Sequence, residues 1–435
     1  MDTRRAELIV EHLGQNYRRM YHAPVGAFRL PYLVPGAGYE HCLWDWDTRF
    51  AAEAVFAVMD LVGAGADVRE SMVDAMRGSL LNLLSFQQPN GAVPHCVYLG
   101  AEHFFAESVE KYDEPNQAKP VLAQLAELIV RRAGDDGWIR PRLGDLDRFL
   151  AHYDERYRHE PTGLYLWRSG AVIGVDNDPC TFGRPLLSSA SVFLNCLFVR
   201  EFEALASLHE RAGDSARAAA CRARRDALVE AIRRHLWDRR DRFFYSADVQ
   251  CQTDRRIPYL NSGLGVFWPC IPLRIRLWTG FLPMWAGAAT PEQAADLVRL
   301  HLGDREALAC DYGIRSLAAN EPMYDCRATS NPSNWLGPVW GIANYLVFRG
   351  LLDYGFRAEA ERLAEQTVTL FGRDIERHGG MHEYYVPETG EGVMNLGFMN
   401  WNYLVANMLR DLGAAGHAGG QGERREGGNA RHSSA

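Results

Sequence analysis

The sequence has almost no lysine: of its 47 Lys and Arg residues, only Lys111 and Lys119 are lysines. Arginine carries the positive charge, the pattern expected of a GC-rich coding bias. Acidic residues outnumber basic ones and the formal net charge is −8, the wrong sign for a nucleic-acid partner. No stretch approaches the roughly 18 apolar residues of a membrane-spanning helix. Met1–Arg5 leads into an amphipathic segment, not an apolar core, so a secretory leader is not expected and a cytoplasmic protein is. The nine cysteines (Cys42, Cys96, Cys180, Cys196, Cys221, Cys251, Cys270, Cys310 and Cys326) are odd in number and include no CxxC pair. A disulfide framework and a zinc knuckle are thereby disfavoured, leaving reduced, mostly buried thiols. GxGxxG is absent and strands do not alternate with helices, so a dinucleotide-binding fold is disfavoured. His382-Glu383 lacks the second histidine of HExxH, which removes the zinc-protease reading. No metal or cofactor is expected.

What remains is a helical chain of 435 residues with an ordinary apolar content of 47%. Apolar residues at helical spacing predict a helix from Thr48, and a longer one from Leu187 to Ala212 that stops at Gly213. Asp214 caps a helix reaching Leu236. Thr290-Pro291-Glu292-Gln293 combines a cap, a first-turn proline and a capping-box glutamine ahead of a helix to Leu302. Further helices follow Pro338, run from Arg357 to Phe371, and run from Phe398 to Leu412. About twelve helices in consecutive pairs, with no fixed-period repeat, fit a closed toroid of paired helices or a large irregular all-α domain. The clearest strand signal, Arg242–Tyr245, predicts a small hairpin after the turn Asp238–Asp241. One domain over 1–412 is expected, then a glycine-rich tail, 413–435, with too little to bury to be ordered.

Five connections between helices concentrate Trp, Tyr, Asp and Asn. Aromatic faces cover the apolar side of a pyranose, and carboxylates and amides bind its hydroxyls. The first runs from Tyr39 through Trp44-Asp45-Trp46-Asp47, where Asp47 also reads as a plain helix cap. The second is Gln87-Gln88-Pro89-Asn90-Gly91-Ala92-Val93-Pro94-His95, ordinary turn chemistry whose polar groups suit a pocket rim. The third, Gly174-Val175-Asp176-Asn177-Asp178-Pro179, offers a turn or a sheltered acid. The fourth, Ser330-Asn331-Pro332-Ser333-Asn334-Trp335-Leu336-Gly337-Pro338-Val339-Trp340, offers a loop or a sugar-binding wall. The fifth, His382-Glu383-Tyr384-Tyr385-Val386-Pro387-Glu388-Thr389-Gly390, sets Glu383 beside two tyrosines, while Glu388 and Glu391 read as solvated.

The order of these motifs, from about residue 30 to 412, resembles the six-fold α/α-barrel glycosidases. That group contains trehalases, the processing α-glucosidase of glycoside hydrolase family 63, and bacterial mannosylglycerate and glucosylglycerate hydrolases. The resemblance implies an all-α fold, an (α/α)6 barrel with short β-hairpins in its loops. It implies an inverting, metal-independent exo-acting hydrolase of a small α-glucoside or α-mannoside, with a small carbohydrate as its partner and no nucleic acid or membrane. Asp176 matches the family's general acid and Glu383 its general base. An inverting pair stands about 6.5–9.5 Å apart to admit a water. Asp176 must hold its proton through burial or a nearby anion, for which Asp178 and Asp47 are at hand, and Glu383 must stay charged.

The resemblance also assigns Asp47 to sugar hydroxyls and makes Trp44, Trp46, Trp335 and Trp340 candidate walls. Tyr39, Gln117, Asn177, Arg184 and Tyr384 complete the candidate substrate-binding set, Gln117 through a loose match of Asn116-Gln117-Ala118-Lys119-Pro120. Relatives commonly carry D-N-S-P followed by Arg-Trp. Here Asp178 replaces the serine, the Arg-Trp pair is missing, and Arg184 stands nearby. A glycerate leaving group calls for a cation, and Arg49, Arg184, Arg315 and Arg327 are available. Two rivals share the toroid: a sugar epimerase using His41, His95 or His382, and a non-catalytic carbohydrate-binding barrel. A phosphorolytic enzyme that dispenses with Glu383 is a third.

Overall fold

The computed structural model describes residues 2–36, 38–99, 117–170, 173–251, 268–327 and 333–422, with side chains to 413. Its helices alternate between two concentric rings. The outer ring holds Thr3–Asn16, Ala66–Ser85, Leu143–Arg156, Ser215–His235, Pro291–Leu297 with its π-helical extension Val298–Leu302, and Arg357–His378. The inner ring holds Asp45–Leu61, Leu122–Ala133, Val192–Arg211, the short pair Trp278–Phe281 and Leu282–Trp285, Gly341–Asp353, and Asn400–Leu404 continuing into Val405–Gly422. Each inner helix packs on the next, and the last packs on the first, closing an (α/α)6 barrel.

Composition sorts the rings. Asp45–Leu61 buries every residue from Asp45 to Ala52 and from Ala54 to Met59, as an all-round apolar helix must. Ser215–His235 buries only five residues and turns its arginines outward. The expected caps are present: Asp214 accepts from the Arg217 N–H, and Thr290 and Gln293 form a reciprocal capping box. The Phe243–Phe244 strand pairs with Trp237–Asp238 as a hairpin.

Helix starts differ from the sequence reading in instructive ways. Val192–Arg211 begins five residues after Leu187, whose φ of +55° is left-handed and cannot enter an α-helix. Val339–Trp340 is a strand, paired with Tyr384–Tyr385, so the helix after Pro338 starts at Gly341. Arg357–His378 overruns the expected end at Phe371 and stops at Gly379 with φ +72°. The last helix continues to Gly422 instead of stopping at Leu412, so the expected tail is helical over 413–422. Residues 423–435 lie outside the described residues. All nine cysteines are free and six are buried.

Two carboxyls inside the ring are held by donors. Glu53 accepts from Arg49 and from the Tyr345 hydroxyl, both at 2.6 Å. Burial would raise its carboxyl, but Arg49, the Tyr345 hydroxyl and Arg349 outweigh it and hold Glu53 at about 2. Glu201, from the neighbouring inner helix, caps Leu122–Ala133 by accepting the Ala123 and Gln124 N–H groups at 2.7 and 3.1 Å.

Candidate active site

The beginnings of the inner helices face one end of the barrel, and a cavity of about 630 Å³ opens there. Trp46 and Asp47 enter it from the first turn of Asp45–Leu61, Lys119 from just before Leu122, Arg184 and Leu186 from before Val192, Ser333 from before Gly341, and Trp401 from the last inner segment. The antiparallel pairing of Cys42–Trp44 with Cys96–Tyr98, two strands separated by two helices, brings Trp44, His95 and Tyr98 to the rim.

Trp46 forms part of the floor. Its ring lies 4.9 Å from Trp401 and 6.2 Å from Trp335, and Lys119 Nζ stands 5.6 Å over it. Lys119 is the buried partner of Asp45: its Nζ donates to Oδ1 at 3.2 Å and its backbone N–H to Oδ2 at 2.6 Å. The loop bearing Asp176 approaches this pair closely. A Cβ on Gly174 would lie 2.7 Å from Lys119 Cε and 3.0 Å from the Trp46 ring, and the Gly174 φ of +75° suits glycine alone.

Asp176 and Glu383 both line this cavity. Burial raises the Asp176 carboxyl, and a Ser333 hydrogen bond, Lys119 and His95 oppose the rise. Burial is therefore what favours the proton, not the anions Asp178 and Asp47 anticipated from the sequence. Asp178 turns inward, accepting the Cys180 N–H at 2.7 Å, and burial lifts it to about 6. Asp47 accepts from Asn400 Nδ2 at 2.6 Å and is raised well above the usual range, first by burial. It is the third residue of its helix, whose cap position is Trp44, so it is not a plain cap.

Glu383 is 3% exposed and held by donors. The Tyr39 hydroxyl lies 3.0 and 3.1 Å from its two oxygens, and Asn395 Nδ2 donates to Oε2. Burial pushes Glu383 to about 7; the Asn395 and Tyr39 hydrogen bonds pull downward, and the Asp176 charge pushes up. Asn395 reaches it because Met394 and Asn395 are both left-handed, at φ +60° and +38°. Such strain in non-glycine residues concentrates at functional sites. If Glu383 must be ionised to work, kcat/KM falls below about pH 7, and Asn395→Ala moves that acidic limb upward by removing a donor to the charged form. A pH–rate profile of the variant checks the shift.

Of the residues singled out in the sequence, Tyr39, Trp44, Trp46, Asp47, Asp176, Arg184 and Glu383 line the cavity. Asn177, Gln117, Trp335, Trp340 and Tyr384 stand behind it. Asn177 ties the acid loop to its neighbour, accepting the Trp335 N–H at 2.7 Å and donating to Asn334 at 3.0 Å. Trp335 stacks on Trp340 at 3.9 Å, and Trp340 packs on Tyr384, forming a wall backing. Gln117 accepts the Arg168 N–H at 3.2 Å. Arg49, Arg315 and Arg327 are engaged by Glu53, by the Arg305 and Ala307 carbonyls, and by Asp325. Lys119, Ser333, Tyr98, Phe182 and Asn395 were not singled out, although Lys119, Ser333 and Phe182 stood inside motifs read from the sequence.

Among the described residues, Asp374, His378 and His382 bring three possible metal-ligand atoms within 4.8 Å of one another. The ring nitrogens lie 2.8–3.0 Å from the carboxylate. A tetrahedral ion with bonds of about 2.0–2.1 Å holds its ligands about 3.3–3.4 Å apart, so the spacing is that of hydrogen bonds.

Comparison with known proteins identifies the family and the fold. The family described as "Mannosylglycerate hydrolase MGH1-like glycoside hydrolase domain" matches residues 74–402, a span containing Asp176 and Glu383. The mannosylglycerate hydrolase of Thermus thermophilus is 28% identical over 270 residues, 61% of this chain and 52% of that protein. Mannosylglycerate hydrolase MGH1 of Selaginella moellendorffii is 37% identical over 113 residues, 26% of this chain and 21% of its own. The aligned parts thus span about half, or less, of these relatives. Among solved structures, the family 63 mannosylglycerate hydrolase from another strain of Thermus thermophilus, in complex with Tris and D-glycerate, superposes with a TM-score of 0.64 at 22% identity, covering 92% of this chain and 98% of that one. Neutral trehalase Nth1 of Saccharomyces cerevisiae gives 0.60 at 17%, covering 88% and 75%. The barrel, the site at the start of its inner helices and the family match over more than half the sequence lead to one conclusion: the chain belongs to the mannosylglycerate hydrolase MGH1-like glycoside hydrolase family.

Proposed function

We propose that the protein is an inverting hydrolase of a small α-glycoside whose leaving group carries a carboxylate, of the mannosylglycerate or glucosylglycerate class. The observation that carries this reading is the presence of Asp176 and Glu383, two sheltered carboxyls, in one aromatic-walled cavity of a glycoside hydrolase fold. Asp176 is the general acid that protonates the glycosidic oxygen. Glu383, aligned by Tyr39 and Asn395, is the base that takes a proton from the attacking water. Asp47 is the acceptor for sugar hydroxyls. Trp44 and Trp401 line the cavity and offer ring surface to the apolar face of a sugar.

Among the described residues, Lys119 and Arg184 are the Lys and Arg side chains of the lining. Lys119 is spent on Asp45. Arg184 sits beside the exposed Phe182 and Leu186 at the mouth, with one guanidinium nitrogen paired to Asp248. It is placed to receive the leaving-group carboxylate. Arg184→Ala should raise KM about 10- to 100-fold for a glycerate glycoside, the loss of one charge-assisted hydrogen bond. A neutral aryl α-glycoside should be unaffected, and equal losses on both would remove the carboxylate role.

The direct test is proton NMR of glucosylglycerate, mannosylglycerate and trehalose with the purified protein. Early release of the β-anomer is the expected result. Early α-anomer would overturn inversion, and sugar binding without turnover would point to a binding barrel.

A further inference from the structure

The catalytic assignments leave unexplained a buried carboxylate behind the cavity. Asp374, in the last turn of Arg357–His378, is 4% exposed and does not line the cavity. Its donors come from both sides of Glu383 in the chain. The His382 N–H donates to Oδ2 at 2.7 Å, and the His382 ring Nδ1 lies 3.0 Å from both oxygens. The Tyr385 hydroxyl donates to Oδ2 at 2.8 Å, and His378 Nδ1 is 2.8 Å from Oδ1. Burial alone would raise this carboxyl, but the donors outweigh it and hold Asp374 below the usual carboxylate range.

The segment it grips is fixed elsewhere too. Asn402 Nδ2 donates to the His382 carbonyl at 2.7 Å, and the Glu383 N–H reaches the Met394 carbonyl at 3.2 Å. The His382 ring lies against Gly392, where a Cβ would come within 2.2 Å of Nδ1. Only the Glu383 side chain turns from this segment into the cavity, while the partners of His382 and Tyr385 lie behind it.

We propose that Asp374 is the positioning residue of the general base: by clamping His382 and Tyr385 on either side of Glu383, it fixes the direction from which that carboxylate meets the attacking water. Attack geometry is sensitive to small displacements; about 1 Å of misplacement costs on the order of 10²-fold in rate. The inference rests on the assignment of Glu383 as base.

The test is a double-variant cycle on the full chain, with kcat and KM measured separately. Asp374→Ala is expected to lower kcat about 10²-fold with KM within about twofold. Asp374→Asn, which keeps an acceptor for the His382 N–H, should recover part of the loss, and Tyr385→Phe should lose less. In a Glu383→Gln background, Asp374→Ala should change the residual rate by less than about twofold, because it acts only through the base. A full additional loss in that background would overturn the inference, as would unchanged kcat in both Asp374 variants or a KM change as large as the kcat change. If Asp374→Ala does not fold, Asp374→Asn and Tyr385→Phe decide the same question through kcat. A Glu383→Gln enzyme of near-normal activity would overturn the base assignment itself, and this inference with it.

Discussion

Asp176→Asn should cut turnover of an ordinary α-glycoside by about 10²–10⁴-fold yet leave hydrolysis of the matching α-glycosyl fluoride largely intact; Glu383→Gln should cut both. Fluoride departs without a proton, so it bypasses the acid. The attacking water still needs its proton removed, so nothing bypasses the base. Initial rates on the two substrates separate the roles. The reversed pattern would exchange them, and normal rates in either variant on both substrates would remove that residue from catalysis.

The electrostatics of the free site make this comparison necessary. Glu383 holds a proton up to about pH 7, and the Asp176 charge is one reason. Two carboxyls sharing a cavity titrate as a unit, so the uptake of the first proton belongs to the pair and not to either residue. Substrate favours the productive arrangement in two ways. The glycosidic oxygen accepts a hydrogen bond only from a protonated Asp176, and the water to be activated donates to a charged Glu383. Tyr39 and Asn395 favour the same charged Glu383 from behind.

The barrel was legible because its evidence is local and repeated: caps at Asp214 and Thr290, and apolar inner helices paired with arginine-rich outer ones. The two candidate carboxyls were legible through the order of the motifs and not through their local sequence: Gly174–Pro179 also reads as a turn, and its second aspartate, Asp178, is buried on the Cys180 N–H. Tryptophan is ambiguous as well, since a ring facing the sugar and a ring backing the wall look alike in sequence. Trp44 and Trp46 face the cavity, while Trp335 and Trp340 stack on each other behind it. Asn177 likewise belongs to the acid loop but bonds away from the cavity. Asn395 left only a faint signal. Its contact with Glu383 depends on two successive left-handed residues, and a Met-Asn pair announces that weakly, through asparagine's tolerance of the conformation. The partnership of Lys119 with Asp45 spans 74 positions, beyond any local pattern.

That partnership carries the second large effect. Lys119→Met strands Asp45, which is 0% exposed, without its counterion. Removing one partner of a buried ion pair typically costs about 3–5 kcal/mol, read as a lowered denaturant midpoint. Combining it with Asp45→Asn removes the unpaired charge and should restore part of the stability: the amide oxygen still accepts from one of the two backbone N–H groups, of residue 119 or Trp46, that the carboxylate oxygens hold separately. Activity should not return to the same profile. Burial raises Asp176, and Lys119 is one of the groups opposing that rise. Without Lys119, Asp176 keeps its proton to higher pH, so the alkaline limb of kcat/KM moves upward in the double variant. A double variant as unstable as the single one would assign the stability to packing of the lysine stem over Trp46 instead of to charge. A restored fold with an unmoved alkaline limb would show that the acid's proton is held without reference to Lys119.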